Sequence, residues 1–390
     1  MAHRPGRHFL QIPGPTNVPD RVLRAIDRST IDHRSSEFSG LGKDCLKGLK
    51  AVFQTDGPVI VYPSSATGAW EAALVNTLNA GDKVLAFETG YFVNLWTQMA
   101  CNLGLRVEMI PGDWRHGVDA TKVAETLVED RGHEIKAIMV VHNETSTGVT
   151  TDIPAVRRGI DAAEHPALLM VDTVSSLASI DYRHDEWGVD VTISGSQKGM
   201  MLPPGLSFNA IGHRATEASK RSSLPKSYWR WAEMLENNSR GFFPYTPATN
   251  LLYGLREALA MLQEEGLANV FARHARLAEA TRCAARQWGF EMVALDPREC
   301  SNALTALFMP EGFDERAFRA VVLDKFNMSL GSGLGKLAGR VFRIGHLGDF
   351  NELMLAGTLA GIEMGFQVAG IPHCRGGAGA ALKYIAEQIA

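Results

Sequence analysis

Apolar residues along this chain follow two rhythms. Short continuous runs rich in β-branched residues stop at turn residues, and longer stretches with helical spacing follow them. The stretch "PVIVYPSSATGAWEAALVNTL" predicts a strand at Val59–Tyr62, a loop, and a helix over about Gly68–Leu78. Further strands are predicted at Lys83–Phe87, Ala137–His142, Ala167–Val171 and Val189–Ile193, with another in "LSFNAIG". Runs that are apolar throughout, rather than alternating, mark strands covered on both faces. Strand and helix in regular succession therefore predict an α/β fold with a mostly parallel sheet between helices. The stretch Asn250–Gly289 is helical without a strand, and later strand signals in "ALTALFMP" and "GRVFRIG" suggest a smaller α+β domain. The expected organisation is an N-terminal arm over 1–20, a large domain over 21–265 and a small C-terminal domain over 266–390.

Composition narrows the function. With 390 residues the chain can bury a large core. A net charge of −4 argues against a nucleic-acid partner, which would require a basic face. Five scattered cysteines with no CxxC pair suggest a reduced compartment, and a cytoplasmic location is expected. The opening "MAHRPGRHFLQIPGP" lacks the apolar segment of a signal peptide, and no run approaches the ~20 apolar residues of a membrane span.

Candidate chemistry lies at strand ends, where open α/β sheets gather functional residues. Asp172 ends "LLMVD", Lys198 follows "VTISGSQ", Ser65-Ala66-Thr67 follow "VIVYPS", and Glu144-Thr145 follow "IMVVHN". A lysine delivered among Gly, Met and Pro is an unusual surface group. Desolvation would lower its pKa and make it a usable amine, able to form an imine with a cofactor aldehyde. A buried acid such as Asp172 would hold the proton on the cofactor's ring nitrogen. "SSATG" before a helix offers backbone N–H groups and hydroxyls to a phosphate. Tyr91 or Phe92 could stack on a flat ring. Each has a plainer reading, as turn cap, solvated lysine or helix start; the ordered combination favours the chemical one. "GSGLGK" (Gly331–Lys336) reads as a flexible loop rather than a phosphate loop. His142, His346 and His373 are isolated, lack metal-ligand spacing, and read as hydrogen-bonded structural residues; no metal is expected.

The series "IPGPTNVP", "DHRS", "SSATG", "GYF", "NETSTG", "LLMVD", "SGSQKG", "PPG", "FFPYTP" and "FRIGHLG" resembles the class V pyridoxal-phosphate aminotransferases of fold type I, most closely the serine–glyoxylate and alanine–glyoxylate transaminases. The resemblance runs from "IPGPTNVP" to about Ala369. It implies a seven-stranded sheet in the large domain and pyridoxal 5′-phosphate as cofactor. It implies that Lys198 forms the imine, Asp172 pairs with the ring nitrogen, and Ser65, Ala66, Thr67 and Gln197 hold the phosphate. Phe92 would stack on the ring, and Thr145 would bond near its phenolic oxygen. Arg343 would grip the substrate carboxylate, with Gly14 beside it. Tyr245 and Thr246 match a loop reaching the phosphate of the other subunit in a homodimer; some relatives have Tyr at the position of Phe243, so which aromatic crosses stays open. The implied reaction moves an amino group from serine, alanine or aspartate to glyoxylate. A pyruvate acceptor is an alternative, as is a desulfurase-type lyase, for which Cys300 or Cys374 would be the thiol. Arg34 in "DHRSS" is a candidate for a second substrate carboxylate.

Overall fold

The computed structural model describes residues 5–389. Its strands in chain order are β1 (Phe9–Gln11), β2 (Val59–Tyr62), β3 (Lys83–Phe87), β4 (Arg106–Ile110), β5 (Ile135–Val141), β6 (Asn143–Glu144) and β7 (Val149–Thr150). They continue as β8 (Leu168–Asp172), β9 (Val191–Gly195), β10 (Ser207–Ile211), β11 (Leu304–Phe308), β12 (Met328–Ser332) and β13 (Val341–Gly345). Seven form one sheet in the order β2-β10-β9-β8-β5-β3-β4. Only β10 runs antiparallel to its neighbours, so the sheet is mostly parallel. This is the expected α/β fold.

Burial follows from the two-sided apolar runs. Val59, Val61, Leu169 and Val171 pack into a core on one face, whereas Ile60, Tyr62, Leu168 and Met170 pack on the other. Alternate residues of a strand point to opposite faces, so a strand apolar at every position is covered twice. Each such side chain contributes roughly 1.5–3 kcal/mol by leaving water. The register brings strand ends level: Val141 of β5 lies beside Asp172 of β8, and Asp172 beside Ile193 of β9.

A second sheet, in the order β1-β12-β13-β11, carries its own core of Leu307, Phe318, Phe342, Phe366 and neighbours. Several details depart from the sequence reading, among them the following. The N-terminal arm contributes β1, which pairs parallel with β12. The helical stretch after Asn250 is two helices, Thr249–Glu265 and Leu267–Trp288, broken at Gly266 with φ at 81°. Gly331 and Ser332 of "GSGLGK" belong to β12, so that segment starts in a strand rather than being loop throughout.

Candidate active site

Lys198 sits three residues beyond β9, and its side chain is buried over Asp172 and under the N-terminal arm. Lys198 Nζ donates to the carbonyl of Pro13. Gly14 follows with φ at 103°, in the region that glycine tolerates, and a Cβ there would overlap the Lys198 side chain. Asp172, the last residue of β8, is 3% exposed. Its Oδ1 accepts the Val174 N–H at 2.7 Å and its Oδ2 accepts the Trp70 indole N–H at 2.8 Å. An ionised carboxylate has about four acceptor sites, so two bonds leave capacity for another donor.

Both groups face a cavity of about 260 Å³. Gly14, Ser65, Ala66, Thr67, Phe92, Thr145 and Gln197 also line it. The chain thus brings together nine residues singled out from sequence. Burial pushes the Lys198 pKa down to about 7; Arg343 lowers it further, against the opposing charge of Asp172. Burial likewise pushes Asp172 up to about 7, opposed by the Val174 and Trp70 donors and helped by the nearby Glu144.

Arg343, in the middle of β13, is held rather than free. Its Nε donates to the Ser332 carbonyl and its Nη1 to the Thr145 carbonyl, both at 2.7 Å. It does not itself line the cavity, but Thr145 does. Burial lowers the guanidinium pKa to about 10, which leaves it charged at neutral pH. The Thr145 hydroxyl donates to Ser175 Oγ at 2.7 Å, and Ser175 also accepts from Asn143. Tyr245 and Thr246 do not line their own chain's cavity. The Tyr245 hydroxyl donates to the Val61 carbonyl, and its ring stacks on Tyr228 with centroids 4.7 Å apart. Tyr91 lies against Gly335, outside the cavity. Arg34 is exposed and is not part of the lining either. His142, His346 and His373 each hydrogen-bond within the fold, to Ser176, Thr305 and the Ile371 carbonyl.

Sequence reasoning passed over Trp70, Pro13 and Ser175. Trp70 stands inside the quoted "SSATGAW", but an aromatic in an apolar helix gives no sign that its N–H will meet Asp172. Pro13 and Ser175 act through long-range contacts that no local pattern displays.

An amine whose pKa is lowered to near 7, facing a buried carboxylate across a small cavity, suits imine chemistry better than hydride transfer or hydrolysis. In a mostly parallel α/β sheet, that pair fits the fold type I pyridoxal-phosphate class that the sequence resembles. Residues 8–335 match the family model described as Aminotransferase class-V. The serine–glyoxylate aminotransferase of Methylorubrum extorquens is 49% identical, over 99% of this chain and 98% of its own. The L-aspartate–glyoxylate aminotransferase of Paracoccus denitrificans is 45% identical, over 93% of this chain and 91% of its own. The solved pyridoxamine–pyruvate aminotransferase of Mesorhizobium loti superposes with a TM-score of 0.92 at 25% identity, covering 100% of both chains. This chain belongs to the class V aminotransferases.

The family implies pyridoxal 5′-phosphate, and the cavity fits it. The helix Ala66–Thr77 opens on the cavity with no side-chain cap bond at Ser65 and no acid in its first turn. Such a helix start attracts an anion through free N–H groups and the dipole. The buried Gln197 Oε1 has no hydrogen-bond partner, and a buried polar atom normally has one. Phe92 supplies an aromatic wall.

Proposed function

We propose that this enzyme transfers the amino group of a small L-amino acid, serine foremost, to glyoxylate, giving glycine and a 2-oxo acid. The observation that carries the reading is Lys198 and Asp172 facing one cavity at neighbouring strand ends. Pyridoxal phosphate, when bound, supplies an aldehyde for the amino group and a ring that accepts electrons from the substrate α-carbon. Lys198 Nζ would hold that aldehyde, and it is the amine placed to take the proton from the substrate α-carbon and to hand it back. Its lowered pKa keeps a neutral fraction available for that task. Asp172 would hold the proton on the ring nitrogen, for which it has acceptor capacity left. Trp70 orients the Asp172 carboxylate. Ser65, Ala66, Thr67 and Gln197 would bind the phosphate, and Phe92 would stack on the ring.

Arg343 binds the substrate carboxylate through the guanidinium hydrogens that Ser332 and Thr145 leave unused, with Gly14 beside it. Both substrates present a carboxylate, so one cation serves donor and acceptor alike. Arg34 is exposed in the single chain, and we give it no part in reading the donor. The serine–glyoxylate relative agrees with the preference for serine, and the aspartate–glyoxylate relative names the competitor.

The working unit in this reading is a homodimer, with residues 21–265 as the cofactor domain and 266–390 as the small domain. Ser65 and Thr67 are exposed in the single chain, and Tyr245 and Thr246 stay out of its own cavity, which supports a loop crossing to the partner's phosphate. Among the described residues no helix is long and apolar enough to cross a membrane. The cytoplasm is the location we propose, on the strength of the unpaired cysteines. Glycine formation from glyoxylate with serine, alanine or aspartate as donor tests the function. Serine should give the highest kcat/KM; glycine formed from none of the three would overturn the reading.

A further inference from the structure

Glu144 has no part in the reaction just described, yet it is one of the most thoroughly bonded acids in the molecule. It is 1% exposed and lies in the short hairpin of β6 and β7. Its Oε1 accepts the Ser146 hydroxyl at 2.6 Å and the Ser146 N–H at 3.1 Å. Its Oε2 accepts the N–H groups of Phe92 at 3.2 Å and Val93 at 3.3 Å. Ser146 Oγ in turn accepts the Tyr91 N–H at 3.0 Å. Three successive amides at the start of the helix Tyr91–Asn102 therefore end on this one hairpin.

That helix has no cap of its own. The residue before it is Gly90, and its first turn holds no acid. Free amides at a buried helix start need acceptors, and a carboxylate there also meets the positive end of the dipole. Gly90 is fitted to the arrangement: a Cβ on it would overlap Glu144 Cγ and Cδ and Ser146 Oγ. Chain segments some fifty residues apart are thus made for each other. The same hairpin offers the Thr145 carbonyl to Arg343. One turn therefore braces both the aromatic wall of the cavity and the proposed carboxylate-binding cation.

We propose that Glu144 is a positioning residue: by capping the helix that begins at Tyr91, it fixes the Phe92 ring at the height and tilt needed to stack on the cofactor. The inference rests on the reading of Phe92 as the stacking residue. A carboxylate that only stabilised the fold would leave cofactor affinity independent of what stands at position 92.

The experiment compares wild type, Glu144→Gln, Phe92→Ala and the double variant in two ways. Without cofactor, hydrogen exchange of the Tyr91, Phe92 and Val93 amides is followed by mass spectrometry. With pyridoxal phosphate, the equilibrium dissociation constant is measured. Glutamine keeps the shape but turns an NH2 towards amide donors, so exchange of the three amides should quicken. The dissociation constant should rise on the order of tenfold, as for loss of hydrogen bonds to a buried charge. In the double variant it should be little worse than in Phe92→Ala alone, since both changes act through one ring. Unchanged amide exchange overturns the cap, and strictly multiplicative effects on the dissociation constant overturn the route through Phe92. A Phe92→Ala variant that binds cofactor normally would remove the stacking role and overturn the inference with it, leaving Glu144 as a helix cap alone if the exchange still quickens. If Glu144→Gln does not fold, Ser146→Ala takes its place. It removes a donor to Glu144 and the acceptor for Tyr91 while keeping the charge, and the same quickened exchange is expected at Tyr91.

Discussion

Lys198 and Asp172 are unusual because the fold buries both without giving them a direct bond to each other. Lys198 is met by the Pro13 carbonyl, Asp172 by Trp70 and the Val174 amide. The consequence for stability can be worked out for the cofactor-free protein. Lys198 titrates at about 7 folded and at its ordinary 10.5 unfolded. Between those values the unfolded chain binds more protons, so the folded state gains stability as pH rises through that window. Asp172 has the opposite shift, from 3.8 to about 7, so its contribution is present at low pH and lost as pH rises towards 7. Together they place a shallow stability minimum near neutrality. Thermal unfolding between pH 7 and 10 should therefore show the wild type gaining on a Lys198→Met variant, which carries no lysine burial penalty: the variant starts ahead at pH 7, and its lead closes by pH 10. A constant difference across that range would show that Lys198 is not held at a lowered pKa.

At the level of elements, the cavity is the meeting of strand ends with two helix starts, those of Ala66–Thr77 and Tyr91–Asn102. The helix Ala66–Thr77 turns its uncapped, acid-free first turn towards it, and that asymmetry is the basis for assigning the phosphate there. A Thr67→Glu substitution puts a negative charge on an exposed position of that turn. It should leave the helix intact, because an acid at a helix start is favourable, yet raise the dissociation constant for pyridoxal phosphate about tenfold or more by repelling its phosphate. Equilibrium binding together with circular dichroism checks both halves. Unaltered affinity would move the phosphate elsewhere. Much of this was legible in the sequence, because buried parallel strands leave continuous apolar runs and their ends are marked by polar residues. Val59–Tyr62 and Lys83–Phe87 were read to the residue for that reason. The strand Arg106–Ile110 escaped because it is a sheet edge, half-exposed and carrying Arg106 and Glu108. Met328–Ser332 escaped because serine and glycine interrupt its apolar pattern. Within the site, residues that act through their own strand end were readable. Trp70, Pro13 and the capping role of Glu144 were not, since each works on a partner more than fifty residues away in sequence or across the sheet.

For the whole molecule, the proposed dimer makes the strongest demand. A variant lacking Lys198 and another lacking the Tyr245 and Thr246 side chains should each be nearly inactive. Mixed in equal amounts, half the dimers are mixed and one of their two sites is whole, so activity should recover to about a quarter of wild type. Pairing the Lys198 variant with Arg343→Ala should recover nothing, because those two residues serve the same site from one chain, where Arg343 bonds to the Thr145 carbonyl; no recovery in the loop mixture, with subunit exchange shown, would confine each site to one chain. Beneath the dimer, the donor and the cap lies a single claim: that this fold holds pyridoxal phosphate on Lys198. Borohydride reduction of the cofactor-loaded protein, followed by peptide mass mapping, tests it directly. The account predicts one reduced cofactor per chain, on the peptide carrying Lys198 and on no other lysine. A label on another lysine, or a Lys198→Ala variant that still fixes the cofactor, would contradict it.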